Sequence, residues 1–269
     1  MLRFFSFIAG AAAGILYVRE RRERLALERL GAATLESLLD AIDANNAETG
    51  AHVRRVARYA LELACAADVD ERKQHSVERV ALFHDIGKID GAISDIVKEP
   101  KHLSSEERRS IMEHPKKGAD VLAPLSAFYP DLPQGVLSHH ERWDGKGYPR
   151  QLKGSQIPIE ARIVAIADTF DAITQTRPYS HARTLTAANE ILLAGRGTQF
   201  DPDLIDLFLS PPVIEAVEKL MQKAKSPHRA NGKRRRRGPS SRVPDITFRW
   251  RTPSPVQQRA GHPPQKRKQ

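Results

Sequence analysis

Cysteine is almost absent from this chain of 269 residues. The single Cys65 excludes an intramolecular disulfide and a thiolate-rich metal site, so any metal must be held by His, Asp and Glu. Period-two alternation of apolar and polar residues is missing too. Asp144-Gly145, a turn pair of the Asp-Gly kind, has polar flanks rather than alternating apolar runs beside it, which argues against a hairpin-built β protein. No long apolar run exists. Phe4 to Val18 is uncharged but spans only about 22 Å at 1.5 Å per residue, against a hydrocarbon layer of about 30 Å. Only Arg3 precedes it, whereas Arg19, Arg21, Arg22 and Arg24 follow. That bias predicts a membrane anchor over residues 4–18 with the rest of the chain in the cytoplasm; a packed terminal helix and a signal peptide cut near Ala11–Ala13 are the competing readings.

Acidic residues are missing from the C-terminal end. From Gln222 to Gln269 there are 15 Lys or Arg against Asp245 alone, a charge of +14, so the first 221 residues carry −4 of the overall +10. The stretch after Lys225 is rich in Pro, Arg, Lys and Ser and is expected to be disordered. Its run Lys233–Arg237 suits anionic lipid or nucleic acid through counterion release, or serves only as a solvated tail.

What is present between these ends is helical. Leu35, Leu38, Leu39 and Ile42 recur at i, i+3, i+4, i+7, and Val53, Val56, Ala60 and Leu61 repeat the stripe. Ser104 with Glu107 reads as a capping box, and Asp201-Pro202 as an N-cap followed by an N1 proline. With 40% hydrophobic residues the chain can bury a core. The expectation is an all-α bundle over residues 34–221, preceded by an apolar segment and basic linker (1–33) and followed by the basic tail (222–269).

Histidines and carboxylates cluster in this body: Glu48 and His52 in ETGAH, His84 and Asp85 in HDIGK, His114 in EHP, His139 and His140 in SHHERWDGKGYP, and Asp168 in AIADTFDA. Glu48 and His52, four apart, share a helix face. Adjacent pairs such as His84–Asp85 and His139–His140 diverge by about 100° on a regular helix, so both members serve one centre only if metals lie side by side. Imidazole and carboxylate without thiolate suit manganese, iron or zinc. Two such metals can hold a hydroxide nucleophile and neutralise a phosphoryl oxygen, which fits phosphodiester hydrolysis.

The string FHDIGKI, then HHERWDGKGYP, then Ala167-Asp168 and Arg177-Pro178-Tyr179 closely resemble the HD-GYP domains of the HD phosphohydrolase superfamily, over about Thr34 to Leu209. The resemblance implies an HD-type helical bundle with a GYP loop extension, hydrolysing cyclic di-GMP to pGpG or GMP with two or three divalent metals, iron or manganese most often. Carried over by position, the metal ligands would be Glu48, His52, His84, Asp85, His114, His139, His140 and Asp168, with Asp85 bridging and Glu48 serving a third ion. Lys88 would contact a substrate phosphate, and Arg177 a phosphate or a base unless it pairs with a carboxylate such as Asp171; Gly147 and Tyr148 would lie on a loop that is a lip of the site or a docking surface for diguanylate cyclase (GGDEF) proteins, and a homodimer is a further expectation. Gly145 and Gly147 are read as positions of positive φ. Ser180 replaces a basic residue frequent in the family, and the stretch from Ile89 to His102 reads as an insertion. The alternatives are an HD phosphohydrolase for another nucleotide, such as a dNTP, a cyclic mononucleotide or (p)ppGpp, and a cyclic di-GMP receptor without turnover.

Overall fold

A computed structural model of the protein describes residues 2–89, 104–176 and 182–225. The chain runs through α1 (Leu2–Asn45), α2 (Ala47–Ala66), α3 (Glu71–Phe83), a 3-10 turn (Ile86–Lys88), α4 (Ser105–Met112), α5 (His114–Leu122), α6 (Asp131–Ser138), α7 (Ile159–Thr174), α8 (Leu185–Ala194), α9 (Pro202–Phe208) and α10 (Pro211–Lys225). No strand occurs among the described residues, as the missing alternation predicts.

The helix starts are set by the caps visible in the sequence. Asn46 accepts hydrogen bonds from the amides of Glu48 and Thr49 at the head of α2. Ser104 and Glu107 close a reciprocal capping box on α4, and Asp201 accepts from Asp203 N ahead of Pro202. The core lies where α2 packs against α3 and α7. Val53, Val56, Tyr59 and Leu63 meet Val77, Val80, Phe83, Ile163, Ile166 and Phe170, all buried. Phe170 stands edge-on to both Tyr59 and Phe208, with ring centroids 5.4 and 5.3 Å away, which ties α7 to α2 and α9. Leu35, Leu39 and Ile42 are buried as their spacing predicts, with Leu38 only half-buried.

Two expectations change at the N-terminus. Helix α1 runs unbroken from Leu2 to Asn45, so the apolar leader, the basic linker and the first core stripe are one element rather than a segment ending at residue 33. The membrane anchor over residues 4–18 is not supported: among the described residues no helix is long and apolar enough to cross a membrane. The physical reason is length, because charged residues from Arg19 onward cut the apolar run short. The expected insertion between Ile89 and His102 falls almost wholly outside the described residues. Arg177 and Ser180 lie outside them as well, as does the tail beyond Lys225 with its expected lipid or nucleic-acid contacts.

Candidate metal centre

The histidine-bearing motifs converge because each sits at a helix end or on an inward face. His52 projects from the middle of α2 and Asp168 from α7. His84 caps the C-terminus of α3, Asp85 follows it into the 3-10 turn, His114 opens α5, and His139 caps the end of α6. Leaving the helix at these points frees adjacent residues from the 100° divergence of a regular helix. The rings of His139 and His140 lie 4.2 Å apart, tilted by 43°.

Two triads result. The ligating atoms of His52, His84 and Asp168 lie within 4.8 Å of one another, and so do those of His114, His139 and His140. Asp85 stands between them. One of its oxygens is 3.6 Å from His84 Nε2, while the other is 3.4 Å from His114 Nε2 and 3.9 Å from His139 Nε2. Asp168 faces His52 Nε2 at 3.3 Å and His84 Nε2 at 3.9 Å.

The hydrogen bonds behind these rings decide which nitrogen points inward. The Nδ1 atoms of His84, His114 and His139 lie 2.8, 2.6 and 2.6 Å from the carbonyl oxygens of Ala81, Ile111 and Val136, each three residues upstream. A carbonyl only accepts, so Nδ1 donates to it and Nε2 is the nitrogen turned toward the centre. Burial, then the neighbouring rings of His140, His84 and His114, hold His139 well below the ordinary imidazole value. Burial also lowers His84, and burial with His114 and Lys88 lowers His140 to about 3. These rings are neutral ligands at neutral pH.

Such a donor set fits divalent cations. His84 Nε2 is buried with no hydrogen-bond partner. His114 and His139 bring their Nε2 atoms to 3.1 Å, the separation of two ligands about 2.1 Å from one ion and roughly 95° apart. Asp85 is a carboxylate in this setting: burial opposes its charge, but the Lys88 ammonium holds it well below its usual range. Asp168 is depressed likewise, with burial outweighed by the hydrogen bond from His52.

Supporting residues complete the site, and the roles of Asp171 and Arg55 are not announced by the motifs. His52 Nδ1 is 2.7 Å from Asp171 Oδ2, and Arg55 clamps both oxygens of Asp171 at 2.7 and 2.9 Å. A buried carboxylate thus orients His52 while a guanidinium orients the carboxylate. The spacing signal was available, since His52 and Arg55 on α2 and Asp168 and Asp171 on α7 are both i, i+3 pairs on one face. Burial opposes protonation of His52, but hydrogen bonds to Asp168 and Asp171 outweigh it and raise the ring to about 9.

Lys88 reaches back to Asp85, with Nζ 2.8 Å from each carboxylate oxygen. Glu48 is exposed in the first turn of α2 and stands outside both triads.

The GYP loop closes one side. Tyr148 stacks on His140, with centroids 4.9 Å apart and planes 22° apart, and its amide donates to His140 O at 3.2 Å. Gly145 has φ +79°, as expected. Gly147 does not need positive φ; a Cβ there would overlap the backbone of Glu141 and Arg142, so close approach is what demands glycine. Glu141, also missed in the sequence, is buried and accepts hydrogen bonds from Arg150 N at 2.7 Å and Leu152 N at 3.0 Å, fastening the loop to the end of α6.

A helical domain built around paired histidine triads defines the class, and comparison with known proteins gives the family. The HD domain family matches residues 36–204. The chain is 37% identical over 175 residues to 3′3′-cGAMP-specific phosphodiesterase 2 of Vibrio cholerae, covering 64% of this chain and 33% of that protein. It is 38% identical over 192 residues to the cyclic di-GMP phosphodiesterase response regulator RpfG of Xanthomonas campestris, covering 71% and 48%. A solved cyclic GMP-AMP specific phosphodiesterase of V. cholerae shares the fold, with a TM-score of 0.52 at 22% identity over 71% of this chain and 52% of that one. The chain belongs to the HD domain family, in its HD-GYP branch. It spans about a third to a half of the length of these curated relatives.

Proposed function

We propose that this chain is a metal-dependent phosphodiesterase that opens cyclic di-GMP to linear pGpG. The observation that carries the reading is Asp85, which offers one oxygen to each histidine triad and so defines two neighbouring cation positions. His52, His84 and Asp168 would hold one ion and His114, His139 and His140 the other. Iron or manganese suits this thiolate-free set. When bound, such a pair supplies a nucleophile from water at neutral pH and neutralises charge developing on a phosphoryl oxygen. Attack at phosphorus breaks the bond to the ribose 3′ oxygen and leaves a 5′ phosphate.

The remaining work belongs to the chain. The Nδ1 hydrogen bonds keep the three rings in the ligating tautomer, and Arg55 with Asp171 fixes His52. Lys88 keeps Asp85 ionised and leaves a cation beside the place where a phosphate would sit. Tyr148 walls the His140 side against water. Hydrolysis of 3′3′-cGAMP is the second reading, favoured by the name of a 37% identical relative.

Purified protein loaded with Mn(II) or Fe(II) is tested against cyclic di-GMP, 3′3′-cGAMP, pGpG, cyclic AMP and ppGpp. Turnover of cyclic di-GMP that falls below about one per cent in Asp85→Ala is the expected result. Full activity in that variant, or preference for ppGpp or cyclic AMP, would overturn the assignment.

A further inference from the structure

Beside the metal centre lies a groove. It has a volume of about 570 Å³ and runs between α4 and the GYP loop, lined among others by Arg108, Arg109 and Met112 on one wall and Lys146 and Tyr148 on the other. Its size falls in the roughly 300–1,000 Å³ range of small-ligand pockets, room enough for one nucleotide. Tyr148 connects it to the centre, because the ring that lines the groove is the ring stacked on His140.

The charge of the groove is one-sided. Arg108, Arg109 and Lys146 are exposed and form no ion pair among the described residues, while the one lining acid, Glu113, faces Lys117 at 4.0 Å. Helix α4 buries none of its own residues, so these arginines are not there to support a core. Met112, 41% exposed on the same wall, offers an apolar face to a flat base.

We propose that this groove binds the nucleotide of the cyclic dinucleotide that is not being cleaved, and that Arg108 and Arg109 make it prefer guanine. The proposal rests on the phosphodiesterase reading above. With one phosphodiester over the metals, the rest of the ring must project past Tyr148 or away from it, and the cationic side suits the second phosphate. Guanidinium groups are donors only. Guanine presents two acceptors, O6 and N7, to a bidentate arginine, whereas adenine replaces the O6 acceptor with an amino donor. A guanine-filled groove would therefore separate cyclic di-GMP from 3′3′-cGAMP when the guanine of the latter occupies the metal side.

The test compares wild type, Arg108→Ala/Arg109→Ala and Arg108→Lys/Arg109→Lys on cyclic di-GMP, 3′3′-cGAMP and bis(p-nitrophenyl) phosphate, a diester with no base and no second phosphate for the groove to hold. The alanine pair is expected to raise KM for cyclic di-GMP at least tenfold with kcat within threefold, to lose preference between the two dinucleotides, and to cleave the small diester as wild type does. The lysine pair is expected to recover KM in part but not the preference. Unchanged KM values, or an equal loss on all three substrates, would overturn the proposal. If wild type cleaves only the small diester, the cyclic di-GMP assignment fails instead. Equilibrium binding of cyclic di-GMP then decides the groove: binding lost in the alanine pair supports it, and equal binding refutes it.

Discussion

The Lys88 ammonium lies 2.8 Å from both oxygens of Asp85, the carboxylate shared between the triads, yet it is not itself a ligand. Removing it should therefore affect chemistry more than metal content. Lys88→Ala is expected to lose about a hundredfold in turnover, the cost typical of one electrostatic donor, while keeping its ions. Asp85→Ala should lose both. Equal metal loss in the two variants would show that Lys88 holds the centre together. The triads also differ in how they meet a proton. His139 and His140 are held neutral, so an ion there displaces no proton from them, whereas His52 keeps its proton up to about 9 in the ion-free protein. An ion at the His52 triad must expel that proton, so its affinity rises about tenfold per pH unit until pH reaches about 9 and then levels off. Metal analysis after dialysis against limiting Mn(II) is expected to find one ion at pH 6 and two at pH 9, in wild type and in Glu48→Gln alike. Three ions in wild type falling to two in Glu48→Gln would restore Glu48 as a ligand.

Between elements, the glycine of HDIGK does what no ligand can. A Cβ on Gly87 would overlap His114 O and crowd Gly118 N, so only glycine lets the 3-10 turn bearing Asp85 rest directly on the start of α5 bearing His114. Backbone atoms cannot swing aside as a long side chain can. Gly87→Ala is expected to part the two elements, costing about 1–3 kcal/mol of overpacking, a melting decrease of about 2–12 °C and loss of bound metal. An unshifted melting curve with full metal content would show that the turn moves freely. The same relations mark how far the sequence could be read. His84, Asp85, His139 and His140 were legible because short polar motifs carry the chemistry, and α4 and α9 because caps are local. Three things were not: the division of ligands into two triads, the clasp of Arg55 on Asp171, and the anchoring of the loop by Glu141. The first two depend on segments that meet only after the helices have packed, and the third on the path of an irregular loop, which no periodicity encodes. The extent of α1 was illegible for the opposite reason, since a change of composition near residue 33 looks like a boundary although helix propensity continues through it.

At the scale of the molecule, the centre gathers ligands from α2, the turn after α3, the head of α5, the end of α6 and α7, positions that span His52 to Asp168. Without cations, imidazole lone pairs and carboxylates face one another in a mostly buried space, with His84 and His114 fully buried. The ions therefore belong to the folding energetics and not only to catalysis. A ligand that binds the native state alone stabilises it by about 4 kcal/mol at a thousandfold excess over its dissociation constant. For a domain of this size each kcal/mol moves the midpoint by about 2–4 °C. Chelation with EDTA is thus expected to lower the melting temperature by about 8–16 °C, read by circular dichroism at 222 nm, and readdition of Mn(II) to restore it. Asp85→Ala, lacking the shared carboxylate, should start near the chelated value and respond little to either treatment. Identical melting of wild type with and without chelator would mean that the triads are preorganised by the helices alone, and that the Nδ1 hydrogen bonds of His84, His114 and His139 suffice to hold the empty centre open.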